Sequence, residues 1–500
     1  MKEKITQLKS ILNEIANLRA ASSLMGWDQQ VNMQPGSSED RGEQIATLEN
    51  LIHQKSTSDE IGTLLNELDG FTRQASVDDD DAALVRVTKR GFEKSTKVPA
   101  DFVVEFARET TMAQTVWEQA KKESNFKLFQ PRLEKLVEMR RQYAAFFAPY
   151  DHVYDPLLDD FEPGMKTAEV KEIFNALRPK QIELIRAISQ KPAIEKGFLY
   201  IDYPDKGQWD FGVDVITKFG YDWNRGRQDK SVHPFTTSFG INDVRITTRV
   251  KNDYLPTAMF GTMHECGHAL YEQGIAQKYN RTPLADGASM AVHESQSRMW
   301  ENLIGRSKPF WKRFYPRLKE IFPSQLGNVD WMAFYKGINA VEPSLIRVEA
   351  DEATYNLHIM LRLELEIGLM EGALKAADAP AAWNERMREF LGITPPDDAQ
   401  GVLQDVHWSF GGFGYFPTYA LGNLVSAQIW EVMQKDLKDI DGLIEAADFA
   451  PILAWLREHV HQYGAKYEPQ TLVQKITGSK ISADAYVRYL NEKFGEVYGL

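Results

Sequence analysis

Apolar residues recur at steps of three and four through most of this chain, a period that helices satisfy and strands do not. In residues 1–20, Ile5, Leu8, Leu12, Ile15 and Leu18 form one such stripe. Ile45, Leu48, Leu51 and Ile52 repeat it in residues 41–70, and residues 101–147 and 166–190 carry the same period. The run Asp78 to Asp81 precedes another periodic stretch, and acidic residues there suit a helix N-terminus through the macrodipole. Short Pro/Gly joints occur at Gln34-Pro35-Gly36, Glu162-Pro163-Gly164 and Thr394-Pro395-Pro396, none long enough for a flexible linker. A mainly α fold is expected.

One segment departs from the helical period. Phe235 to Phe239 and Val244 to Val250 are rich in β-branched residues and flank Gly240-Ile241-Asn242-Asp243, which predicts a β-hairpin. Val244, Ile246, Thr248 and Val250 alternate with Arg245, Thr247 and Arg249, so one face is mostly apolar and the other polar. A small sheet of this kind can pair an extended peptide as an added strand.

The 500 residues are 43% hydrophobic and carry a net charge of −13, which supports a sizeable core and disfavours nucleic acid and anionic membranes as partners. The single cysteine, Cys266, allows no internal disulfide and suits a reducing compartment. The start, MKEKITQLKS, is charged and amphipathic, and no run of 18 apolar residues is present. The expectation is a cytoplasmic protein without a membrane span.

Chemistry concentrates in His264-Glu265-Cys266-Gly267-His268. On a helix, histidines four apart share a face and can share an ion. Pro256-Thr257 and Gly274 mark the ends of such a helix. In this pattern Glu265 does not bind the metal; it accepts a proton from water attacking a carbonyl. A catalytic zinc needs a third protein ligand. Glu294, on a following helical stretch closed by Gly305, is the best candidate, with adjacent His293 its rival. Position 274 is glycine, so the third-histidine pattern HExxHxxGxxH is absent. Cys266, two residues from each histidine, is read as packing.

Five further elements accompany this motif: His233-Pro234-Phe235; Asp243, Arg245 and Thr247; His293-Glu294-Ser295-Gln296; Ile346-Arg347 with Ala350-Asp351; and Gly401 with Gln404-Asp405 and His407-Trp408. In type and order they resemble the signature elements of the carboxypeptidase Taq family of metallocarboxypeptidases (metallopeptidase family thirty-two), relatives of neurolysin and the angiotensin-converting enzymes. The resemblance implies a neurolysin-like, two-lobed helical fold with a deep central cleft and a small β-sheet beside the zinc site. It implies a single peptidase domain over 1–500, with the active-site motifs in 233–419. It also implies one Zn2+ per chain on His264, His268 and Glu294, with Co2+ a possible substitute, and Glu265 as general base. The implied reaction releases one amino acid from peptides with a free C-terminus, with broad specificity, in a homodimer. A zinc oligoendopeptidase with the same metal site is the alternative.

Recognition of a terminal carboxylate calls for a cation, and arginine offers a two-pronged donor. Arg347 is the first choice, on a helix opened by Pro343 and paired with Asp351 four residues on. Arg245, on the polar hairpin face, is the second. By resemblance His233 lines the substrate, and His407 with Tyr415 or Tyr419 donates hydrogen bonds to the tetrahedral oxyanion. Spacing from His407 favours Tyr419. Thermolysin-like enzymes place a histidine-orienting aspartate four residues after the glutamate ligand. Here that position is Arg298, so the carboxylate behind a zinc histidine is assigned to Asp351 or Asp405.

Overall fold

The computed structural model describes residues 1–500. The chain sorts into two compact units, each assembled from three segments. The first contains Met1–Thr96, Glu195–Ile338 and Ile429–Gly478; the second contains Lys97–Ile194, Asn339–Gln428 and Ser479–Leu500. Both are mainly helical, and no helix is long and apolar enough to cross a membrane.

In the first unit, the helix Lys2–Val31 buries Ile5, Leu8, Leu12 and Ile15, the stripe visible in the sequence. They join Ile52, Leu64, Leu68 and Val85 in one apolar cluster. Burying each such side chain contributes about 1.5–3 kcal/mol relative to leaving it in water. The acidic run opens the helix Asp80–Lys97, where Asp79 accepts the Ala82 N–H at 2.9 Å. Asp80 also docks that end of the helix. It accepts from Lys278, from the Tyr279 hydroxyl at 2.7 Å and from Lys466 at 2.7 Å.

The sheet has three strands, β1 (Gln228–Lys230), β2 (Thr236–Ser238) and β3 (Val244–Thr248), in the order β1-β3-β2. The predicted hairpin is β2–β3, antiparallel with Thr237 opposite Arg245. β1, parallel to β3, carries no β-propensity signal in its Gln-Asp-Lys sequence. It moves β3 from an edge to the centre. Thr247 is therefore as buried as Ile246, and the expected polar face is absent at that position. Arg245 is engaged too: Nε and Nη2 each donate to Asp243 at 2.9 Å, and the guanidinium lies over Trp27 and Phe239.

Beside the sheet runs the helix Pro256–Gly274, with the proline and glycine ends that the sequence predicts. Thr262 on this helix bonds Thr248 of β3, hydroxyl to hydroxyl, at 2.8 Å. A second helix, Met290–Arg298, starts at Ser289, whose hydroxyl accepts the Val292 N–H at 3.1 Å. It continues as a π-helical turn, Met299–Ile304, up to Gly305. The two helices touch at Gly267. A Cβ there would lie 2.6 Å from Ser297 Cα and 2.7 Å from the Gln296 carbonyl oxygen. Both are backbone atoms and cannot rotate aside.

In the second unit, the helix Tyr355–Glu371 is buried around most of its circumference, including polar Asn356, His358, Arg362 and Glu366, and only Glu364, Gly368 and Glu371 reach solvent. A helix with so narrow a solvent face shows only a weak amphipathic stripe. The helix expected from Pro343 through Arg347 is not formed; Arg347–Glu349 is a single 3-10 turn. Asp351 accounts for the difference. Its carboxylate accepts the N–H groups of Glu342, Ala353 and Thr354 at 3.0, 2.9 and 3.1 Å. Such local bonds favour a helix start, so the helix follows Asp351 instead of running through it.

Gly267→Ala is expected to destabilise the protein by roughly 1–3 kcal/mol through overpacking. Urea unfolding reads this directly, and an unchanged midpoint would show that the two helices separate without penalty.

Candidate metal centre and associated residues

His264 and His268 stand one turn apart on the helix Pro256–Gly274, and each Nε2 lies 3.5 Å from Glu294 Oε2. The three donor atoms lie within 4.8 Å of one another. Zinc bonds of about 2.0–2.1 Å in tetrahedral array put neighbouring donors about 3.3 Å apart. Two imidazoles and a carboxylate at these separations fit a zinc-sized cation.

His293 does not face this point. Neighbouring helix positions diverge by about 100°, and His293 instead stands behind His268. Its Nδ1 is 2.6 Å from His268 Nδ1, and its Nε2 is 3.0 Å from Glu272 Oε1. If His268 Nε2 presents its lone pair to a metal, its Nδ1–H donates to His293, and His293 Nε2–H donates to Glu272.

His264 is backed by Glu301, whose Oε2 accepts from Nδ1 at 2.9 Å. Arg298 joins the two carboxylates. Its Nε donates to Glu294 Oε1 at 2.7 Å and its Nη1 to Glu301 Oε2 at 3.2 Å. The assignment of Asp351 or Asp405 behind a zinc histidine is therefore corrected. Asp351 accepts the backbone bonds described above, and Asp405 is held by two arginines; Glu301 occupies the expected role. Glu294, Arg298 and Glu301 follow at steps of four and three, a helical stripe that could have revealed the group.

Charge follows from these contacts. Burial acts to raise the Glu294 carboxyl, but Arg298 and both histidines hold it well below the usual range, so it stays ionised. At His264, burial opposes protonation, yet Glu294 and Glu301 outweigh it and lift the imidazole to about 9; at His268 burial prevails, to about 4. Glu265 is buried, and burial raises it against the pull of His264 and Thr236. The Thr236 hydroxyl donates to Glu265 Oε2 at 2.6 Å, so β2 aims this carboxylate. Cys266 is fully buried and burial pushes its thiol up, in keeping with packing.

The second unit gathers Arg347, Asp405, His407 and Tyr419. Arg347 Nε and Nη2 donate to Asp405 Oδ1 at 3.0 and 2.8 Å, and Nη1 donates to the Tyr355 hydroxyl at 3.0 Å. The expected Arg347–Asp351 pair is thus replaced by Arg347–Asp405. Arg362, which the sequence did not mark, donates to Asp405 Oδ2 at 2.7 Å. These two arginines outweigh burial and keep Asp405 well below the carboxylate range. His407 Nε2 lies 3.2 Å from the Tyr419 hydroxyl, while Tyr415 offers its ring at 5.3 Å. Burial lowers His407 to about 3, against the pull of Asp405 and aided by Arg347 and Arg362, so the imidazole is neutral. His233 is exposed, with its carbonyl accepting from the Ser231 hydroxyl at 2.6 Å.

Glu301→Gln is expected to weaken metal binding about 10- to 100-fold, the usual consequence of losing a carboxylate behind a ligating histidine. Asp351→Asn is expected to leave it unchanged. Competition with a chelator measures both, and equal retention in Glu301→Gln and the parent would contradict the role given to Glu301.

Comparison with known proteins places the whole chain in one family. The family model described as carboxypeptidase Taq (M32) metallopeptidase matches residues 7–494. Thermostable carboxypeptidase 1 of Thermus thermophilus is 40% identical over 496 residues, covering 97% of each chain. Carboxypeptidase 1 of Bacillus subtilis is 39% identical, covering 98% of this chain and 97% of its own. The crystal structure of the M32 carboxypeptidase from Deinococcus radiodurans superposes with a TM-score of 0.96 at 38% identity, over all of both chains. This chain belongs to the carboxypeptidase Taq (M32) metallopeptidase family.

Proposed function

We infer that this metallocarboxypeptidase uses zinc held by His264, His268 and Glu294, with Glu265 as general base, to release single amino acids from the free C-terminus of peptides. The observation that carries the reading is the convergence of two imidazoles and an ionised carboxylate on one point, one residue from a buried glutamate. A zinc ion supplies Lewis acidity to a peptide carbonyl and to water.

The protein's own residues do the rest. Glu265 accepts the proton of the attacking water and returns it to the leaving amine nitrogen. The Thr236 hydroxyl holds one of its oxygens, leaving the other to work. Neutral His407, with Tyr419 as its partner and Tyr415 beside it, donates to the oxyanion; a neutral donor stabilises charge that develops only in the transition state. Arg347 recognises the terminal carboxylate, with Asp405 fixing its guanidinium plane. Arg245, whose fork is taken up by Asp243, holds the hairpin in shape, and His233 is a lining residue.

The two units are read as lobes of one peptidase domain over residues 1–500. Broad specificity, cobalt substitution, a homodimer and a cytoplasmic location are carried by family resemblance.

Two measurements test this reading. A peptide should be cleaved at least about a hundredfold faster than its C-terminal amide, because the amide removes the charge that an arginine recognises. Equal rates would point to the endopeptidase alternative. Glu265→Gln should retain metal while kcat falls by about 10²–10⁴, the usual share of a general base. A variant as fast as the parent would remove Glu265 from the mechanism.

A further inference from the structure

The helix Tyr355–Glu371 presents two charged side chains, one turn apart, to the same loop. Arg362 donates to Asp405 Oδ2 at 2.7 Å and to Gln404 Oε1 at 2.8 Å. Glu366 accepts at three places: the Trp408 Nε1–H at 2.9 Å on Oε1, and the Gly414 N–H at 3.0 Å and the Tyr154 hydroxyl at 2.5 Å on Oε2. Both Glu366 and Tyr154 are fully buried. Trp408 directly follows His407, and Gly414 directly precedes Tyr415.

We infer that Glu366 is a positioning residue for peptide hydrolysis: by holding Trp408 and Gly414 on one carboxylate, it fixes where His407 and Tyr415 stand. This rests on the reading of His407 as a donor to the oxyanion.

The turn between these anchor points is closed. The Gly412 N–H donates to the His407 carbonyl at 2.8 Å, and the Trp408 ring stacks on Phe413 at 6.1 Å. Gly414 has φ +94°, and a Cβ there would lie 2.3 Å from the Leu157 carbonyl oxygen, so this end of the turn rests directly on backbone. A shift at either end therefore moves His407 and Tyr415 together. A buried carboxylate is a costly way to hold a turn, since an apolar side chain of similar size avoids the desolvation. What a carboxylate offers is acceptors only, enough for three donors at one place. Burial drives Glu366 up to about 7 while these three bonds pull it back.

Glu366→Gln keeps the size but turns one oxygen into an N–H donor. With the amide oxygen taken by Tyr154 and Gly414, the new N–H2 meets the Trp408 N–H, donor against donor. The zinc-loaded, full-length variant, assayed well below its unfolding midpoint, should lose roughly ten- to a hundredfold in kcat, the range for a group acting through its neighbours. KM should stay within about twofold and metal content unchanged. In a Trp408→Phe background the same substitution should have a smaller effect, because the clash is gone. His407→Gln is run alongside. If it slows turnover while Glu366→Gln does not, the positioning role is overturned and the oxyanion reading survives. If His407→Gln turns over like the parent, both fall. Should Glu366→Gln fail to fold, Trp408→Phe alone decides: a severalfold loss of kcat at constant KM is expected, and an unchanged kcat overturns the inference.

Discussion

The candidate metal centre depends on one backbone contact. Two imidazoles on one helix and a carboxylate on the next converge only if the helices nearly touch, and they touch at Gly267, where the missing Cβ admits Gln296 and Ser297. The glycine lies inside the histidine motif, so the residue that lets the helices meet is one position from His268. The sheet then supplies a partner for Glu265, the proposed general base. Because β1 makes β3 a central strand, β2 is held beside the helix, and its Thr236 reaches Glu265.

Burial of so many acids needs compensation, since an unpaired buried carboxylate would take up a proton. At the metal centre Arg298 provides it by bridging Glu294 and Glu301, with Arg306 3.6 Å from the latter. In the second unit the logic is inverted: Asp405 lies between Arg347 and Arg362, and the surplus positive charge helps keep His407 neutral. Both arrangements fix protonation states: a carboxylate that remains an anion at Glu294 and an imidazole that remains uncharged at His407.

Legibility in the sequence tracked the range of the interaction. His264, His268 and their helix were readable because a helical period converts spacing into direction, and Glu294 because a following helix needed one acid facing back. Glu301 obeys the same period but lies seven residues after Glu294, not at the four-residue step where thermolysin-like enzymes carry an aspartate, which here is Arg298. The expected Arg347–Asp351 pair is absent for the opposite reason. An i,i+4 pair with Asp351 presumed a helix that the Asp351 side chain itself displaces downstream, and the true partner, Asp405, is 58 residues away. β1 has no local signal at all; it exists because β3 offers it a ladder. Helix Tyr355–Glu371 buries all but a narrow stripe at Glu364, Gly368 and Glu371, so its pattern does not set Arg362 and Glu366 apart, and their roles emerge only from packing.

The ligand set is the centre of this account, and X-ray absorption at the zinc edge of the loaded protein tests it most directly. The account predicts two imidazoles with oxygen completing the shell at about 2.0–2.2 Å. A third imidazole would return His293 to the metal, and a sulfur at about 2.3 Å would bring in Cys266; either result would contradict the assignment of His264, His268 and Glu294.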